Sequence, residues 1–432
     1  MLPIDPLKLD RTLERYARLS TRFRAALRTS DAVEHAFELR PRELDAEPLA
    51  ELTSLTERDP LAKPLLQWAE ELVQRHACIE AERRVAHAFY REAHPIEAPA
   101  QVRASIAQLL HAALKDPALS AAWLGALERH AGALQSARFE LWETRARTAL
   151  TRSVQPPPST ELRDAANTLL TVTRDAASAF GARSLADWLS LALGRDAVGE
   201  YPTRLTARNL MELLGDSAWL HGLEPELVGL PALLGSSSLM RGFSALGAAL
   251  HAAAAGMRRP FVLHHDPRAR RESVFAALFG LLPLQRTFAE RRLSVARARL
   301  RDHERSSGRV LLLSARTLAL RALLAEQEPR GTSTLREAFV ELTHASLGFE
   351  LAPTYAGVLF TREHAEVELV GFLLALVHNA ELTDRHDEDW FRNPRAIAEL
   401  RAHLETPPSF ELDAKQLARG VELLQKLVTS SL

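Results

Sequence analysis

The sequence predicts an all-α protein, a large multi-helix body with little or no β-structure. Three observations lead there. Apolar residues recur at three- and four-residue steps along most of the chain, which gathers them on one face of a helix. Alternating apolar and polar runs, the mark of half-buried strands, are almost absent. Between the periodic stretches lie Gly, Pro and Ser residues of the kinds that end and start helices. With 432 residues the chain is long enough to bury a large core.

Residues 1–154 read as a succession of amphipathic helices forming an N-terminal lobe. Leu61, Leu65, Leu66, Trp68 and Leu72 keep the helical step, as do Ile106, Leu109, Leu110 and Leu114 before Pro117 breaks it. Pro156-Pro157-Pro158 is the clearest punctuation and marks a loop to a second lobe, 159–432, of one continuous body. Glu161 to Leu193 is helical again, with Gly194 suited to a C-terminal cap. Glu200 to Leu205 is a break, and Thr206 to Leu214 is the next helix. Further on, Leu311 to Leu324 and Thr334 to Leu347 are helical, with Arg330-Gly331-Thr332-Ser333 as the turn and Ser333 as a cap. Ile397 to Leu404 and Ala414 to Leu427, separated by Pro407-Pro408, close the fold.

The chain is organised around Ser236 to Gly256, SSSLMRGFSALGAALHAAAAG. Leu239, Phe243, Leu246 and Leu250 share one helix face, so the stretch reads as a buried, Ala-rich core helix. Ser237 or Ser238 can cap its start, Gly256 suits the left-handed position past its end, and Pro260 stops it.

Within it, Phe243-Ser244-Ala245-Leu246-Gly247-Ala248-Ala249-Leu250-His251 resembles the zinc-binding helix of the thimet oligopeptidase, oligoendopeptidase and angiotensin-converting-enzyme group of helical metallopeptidases, F-H-E-x-G-H-x-x-H. Phe243, Gly247 and His251 match the frame. The family's two ligand histidines fall on Ser244 and Ala248, and its general-base Glu on Ala245. A third-ligand helix, S-V-T-E-x-F-A-x-L-F in the family, is similar to Arg271 to Phe279 and places the ligand at Ser273 or beside it at Glu272. Asp384 to Ala396 looks like the family's late R-F-G-E-D-W-W-R-N-P-x-A-G segment. A family helix bearing tyrosines that stabilise the transition state aligns with His364 to Leu373, which puts Ala365 and Leu369 at those positions. Where active relatives carry a substrate-binding insert with strands, this chain has only Gly215 to Gly235.

The resemblance therefore implies a two-lobed helical scaffold whose zinc site is dismantled. A catalytic zinc wants three protein ligands and an open position for water. Ser and Ala cannot supply them, so no metal and no cofactor is expected. Glu272 alone offers one oxygen.

Composition narrows the partners. The formal net charge of -1 argues against a general nucleic-acid or membrane binder. From Arg258 to Arg309 there are 13 arginines against five acids, but Arg286, Arg291, Arg292, Arg297, Arg299 and Arg301 spread around a helix as a solvated face would. Cys78 is the single cysteine, so no intramolecular disulfide or cysteine-based metal site is available. The N-terminus lacks a signal-type apolar run, and Phe243 to Met257 is short of the roughly 20 residues that span a bilayer. A cytoplasmic location is the default expectation.

Three readings follow. The first is a pseudoenzyme that kept the peptidase scaffold and acts by binding a peptide or protein. The second is an enzyme whose chemistry moved to His251, His264, His265 and Glu272, which would have to converge in one polar pocket. A Ser244, His265, Asp266 hydrolase is a variant of this reading, without a nucleophile-elbow motif behind it. The third is an unrelated helical adaptor, favoured if residues 236–282 line no central cleft.

Overall fold

Helix ends follow the chain's own punctuation. The Asp5 carboxylate caps the first helix by accepting from the Leu7 and Lys8 amides. Ser105 and Gln108 form a reciprocal capping box, and Ser184 and Thr206 cap two later helices through their hydroxyls. Gly194 and Gly215 end those two helices in the left-handed region, which glycine enters without steric cost.

The computed structural model describes residues 5–28, 39–149, 160–215, 223, 225–227, 230–256, 259–327, 332–405 and 413–431. The first part is built from α1 (Pro6–Ala26), α2 (Ala46–Leu55), α3 (Ala62–Ala77) and α4 (Ile79–Ala86). A hairpin, β1 (His94–Ile96) with β2 (Val102–Ala104), precedes α5 (Ile106–Lys115), α6 (Ser120–His130) and α7 (Gly132–Ala149). Next come α8 (Thr160–Val172), α9 (Arg174–Ser178), α10 (Leu185–Leu193), α11 (Ala207–Leu214), α12 (Ser236–Gly256) and α13 (Phe261–His264). The remainder is α14 (Arg270–Leu281), α15 (Arg286–Arg292), α16 (Leu300–Ala325), α17 (Thr332–Leu347), α18 (Ala365–His386), α19 (Pro394–Glu405) and α20 (Ala414–Ser431). The protein is all-α, and the antiparallel hairpin is the only sheet among the described residues.

Some boundaries depart from expectation. The helical stretch from Glu161 breaks at Thr173 and again around Gly181, where φ is 65°. Ser333 lies inside α17 rather than capping it. Ser237 and Ser238 are buried within α12, and Gly256 is still helical. The arginines from Arg286 to Arg301 sit on α15, a 3-10 turn and the start of α16, not on one helix. Most pair across the surface, as Arg286 does with Glu304, Arg291 with Asp389, Arg297 with Glu290 and Arg299 with Asp302. Pro156-Pro157-Pro158, Pro407-Pro408, Arg330-Gly331 and much of Gly215 to Gly235 lie outside the described residues.

Three apolar cores hold the body together. One joins α1, α2 and α3, and Phe261 and Val262 of α13 enter it. A second combines Ile106, Leu127 and Trp142 with Leu313, Leu320 and Phe339, so chain from both sides of residue 154 shares it. The largest gathers α8, α12, α14, α16, α18 and α20 around Phe243, Phe279, Phe372, Trp390 and Phe391. Helix α16 serves two cores: Leu312 and Ala319 face one, Leu313 and Leu320 the other.

Candidate functional site

Helix α14 is held between α12 and α18, and two glycines permit the close approach. A Cβ on Gly247 would lie 2.4 Å from the Phe275 carbonyl oxygen, and one on Gly371 would lie 2.2 Å from the Ser273 hydroxyl. Both distances are below any real contact, so backbone meets backbone on each side of α14. Gly280 faces Ser244 and Gly247 faces Phe275 and Phe279, so α12 and α14 run antiparallel. His251 continues the seam, its ring 5.5 Å from that of Phe275.

This arrangement fixes where the sequence-derived positions fall. Ser244, Ala245 and Ala248 are half-buried along α12, while Phe243, Leu246 and Leu250 are sealed into the core. The Ser244 hydroxyl donates back to the Met240 carbonyl at 3.0 Å. Ser273 lies on the other side of α14: its hydroxyl donates to Arg270 O at 2.7 Å and to Val367 O of α18 at 3.1 Å. Ser244 and Ser273 thus occupy opposite seams and do not share a point. Glu272 precedes Phe275 by three residues and Phe279 by seven, which puts it on the stripe of α14 that meets α12. Ala365 and Leu369 are fully buried in α18.

The histidines fall at the other end of the α12 seam. Burial lowers His251 to about 4, with Arg271 and His265 adding to the effect and Asp266 opposing it. Burial likewise lowers His265 to about 4, with Glu14 opposing and His264 adding. His265 packs 4.5 Å from the Phe261 ring, and its carbonyl accepts from Trp68 Nε1 at 2.8 Å. Both rings are neutral at pH 7 and packed on aromatics. Burial raises the Glu272 carboxyl, and no charged neighbour contributes to that shift.

Two charged groups that sequence reasoning missed border the start of α18. In the first, Arg24 forks between Glu82 at 2.6 Å and Glu363 at 2.9 Å, and Arg145 reaches Glu363 at 3.3 Å. Burial pulls the Glu363 carboxyl up, but Arg145 and Arg24 outweigh it and hold it far below the usual carboxylate range. Glu71, Glu363 and His364 bring three ligand atoms within 4.8 Å of one another, the one such group of metal-binding type among the described residues. Glu71 and Glu363 are already engaged by Arg75 and Arg24, so a cation there would compete with guanidinium. His364 caps α18 from the left-handed region, at φ 56°, and its Nε2 is buried without a hydrogen bond. The second group is Arg241, Arg321, Arg362 and Glu368. No motif announces either, because the members are scattered along the chain and only the fold collects them.

Compared with protein-family models, with curated proteins and with solved structures, the chain gives no match. Among the described residues no helix is long and apolar enough to cross a membrane.

Proposed function

We propose that the chain is a metallopeptidase-like scaffold without peptidase chemistry, a pseudoenzyme that binds a peptide or protein segment along the α12 and α14 surface. The observation that carries this reading is the row Ser244, Ala245 and Ala248: half-buried, small, and bare of metal-ligating groups where the resemblance to helical metallopeptidases would place two histidines and a glutamate. Removing all the ionic groups together is physically consistent, since a buried charge left without its metal is costly. The first half of α14, Arg271 to Ala277, is half-buried throughout, which leaves it within reach of a ligand.

A relocated enzyme site at His251, His264, His265 and Glu272 has one supporting observation, the influence of His265 on His251. Against it, Glu272 feels no cation, and the rings of both histidines pack on aromatics.

The deciding experiment is elemental analysis of purified protein beside a quenched-peptide cleavage screen with added zinc, and a binding screen on the same peptides. Substoichiometric metal, no cleavage and saturable peptide binding are expected. Chelator-sensitive cleavage, or one equivalent of metal that survives His364→Ala, would overturn the reading.

A further inference from the structure

Arg241 of α12, Arg321 of α16 and Arg362, just before α18, surround a single carboxylate, Glu368 of α18. Arg362 Nε pairs with Glu368 Oε1 at 2.7 Å, and Arg321 Nη1 stands 3.6 Å from Oε2. Arg321 is 26% exposed, yet its Nε is sealed from solvent and has no hydrogen-bond partner. Arg241 makes no hydrogen bond or ion pair with another described residue; desolvation and the nearby Arg362 lower it, and Glu368 opposes them. Three guanidiniums against one carboxylate leave two uncompensated positive charges.

Several other arginines have their charge or their donors answered within the protein. Arg316, more deeply buried, spends its donors on three backbone carbonyls and a hydroxyl. Arg297, Arg299 and Arg286 each have a carboxylate of their own. A buried donor left without a partner is costly, and like charges brought together add to that cost. Burial, aided by Arg362 and Arg241 and opposed by Glu368, lowers Arg321 to about 10. Such a group persists when something else supplies the missing anion. The planar fork of arginine suits oxygens in pairs, and a tetrahedral dianion matches both the excess charge and the converging donors.

We infer that Arg241, Arg321 and Arg362 form a binding site for a phosphate-type oxyanion, free or esterified on a larger ligand. Arg321 and Arg362 hold it beside Glu368, and Arg241 closes the site from α12. Arg241 precedes Ser244 by one helical turn, so the anion would lie at one end of the same half-buried α12 face.

The test is calorimetric titration of the full chain at low ionic strength with inorganic phosphate, phenyl phosphate and acetate, and with chloride at matched ionic strength. Saturable one-to-one binding of phosphate or its monoester is expected, weakened at least tenfold by Arg241→Gln and by Arg321→Met. Arg297→Gln, a mutation of an exposed arginine paired elsewhere, should leave it unchanged. If phosphate binds and the monoester does not, the ligand is the free ion; the converse points to an esterified one. Acetate binding without phosphate, an effect that chloride reproduces, or affinity unaltered in Arg241→Gln would overturn the assignment. Arg241 is exposed, so its variant keeps the test decisive even if Arg321→Met fails to fold.

Discussion

Arg316 Nε donates to the backbone carbonyl of Ser346 at 2.7 Å, in the middle of the protein. The same guanidinium reaches Ala345 O, Leu170 O and the Thr173 hydroxyl, each within 2.8 Å. It therefore closes the C-terminal ends of α8 and α17 at once, where unpaired carbonyls and the negative end of the helix dipole favour a cation. Burial, with Arg174 adding, lowers it to about 10, so it stays charged at neutral pH. Arg316→Met should destabilise by about 3–5 kcal/mol, the range for breaking a buried charged network. Arg316→Lys should recover little of this, because a point charge cannot serve four acceptors at two helix ends. Urea unfolding of the two variants checks both statements, and a loss near 1 kcal/mol would deny Arg316 its bridging role.

His251 and His265 set a pH dependence of known sign. Folded, each is lowered to about 4; unfolded, each returns to the ordinary 6.5. Between those values the unfolded chain binds more protons, so stability must fall as pH drops from 6.5 toward 4. His251→Gln with His265→Gln should flatten that fall by roughly 3–4 kcal/mol between pH 7 and 5, a little under 2 from each ring. Denaturant midpoints of variant and parent across this range give the slope difference; equal slopes would place the titration elsewhere.

Gly247 is a position of contact rather than of turn. It is helical, and any side chain would enter the Phe275 carbonyl of α14 at 2.4 Å. Gly247→Ala should cost about 2 kcal/mol or more despite the better helix propensity of alanine, because α12 and α14 would have to separate. Gly256→Ala, at a helical site with open space, should be neutral or stabilising. Thermal unfolding of the pair separates packing from propensity.

The helices were legible because apolar period and capping residues are local: α3, α5, α11 and α20 lie close to where Leu65, Leu109, Thr206 and Ala414 place them. The three-residue strands were not, since so short a ladder has no period to detect. Leu239, Phe243, Leu246 and Leu250 pointed to α12 as a buried core helix, and the fold seals all four into the core. The seam assignment was beyond reach: Ser273 turns to α18 while its neighbour Glu272 faces α12, a difference of one residue and about 100° around a helix. The charged groups at Arg24, Glu82 and Glu363 and at Arg241, Arg321 and Arg362 were invisible because tertiary packing alone brings them together.

Asp10 joins the two parts of the chain at one point. Its buried carboxylate accepts from the Phe261 and Val262 amides, both at 2.9 Å, and so caps the four-residue α13 from α1. Trp68 Nε1 on the His265 carbonyl and Arg75 on Pro267 O fasten the rest of the connector to α3. With Asp10→Ala two amides lose their acceptor inside an apolar core, costing about 2–4 kcal/mol. The loss should be local first, because four residues of helix have no other cap. Hydrogen exchange over 259–269 should accelerate well before global unfolding, while α16 amides keep their protection. Asp10→Asn, which retains one acceptor oxygen, should fall between. Uniform acceleration across α16 and the connector would instead make Asp10 part of the global core.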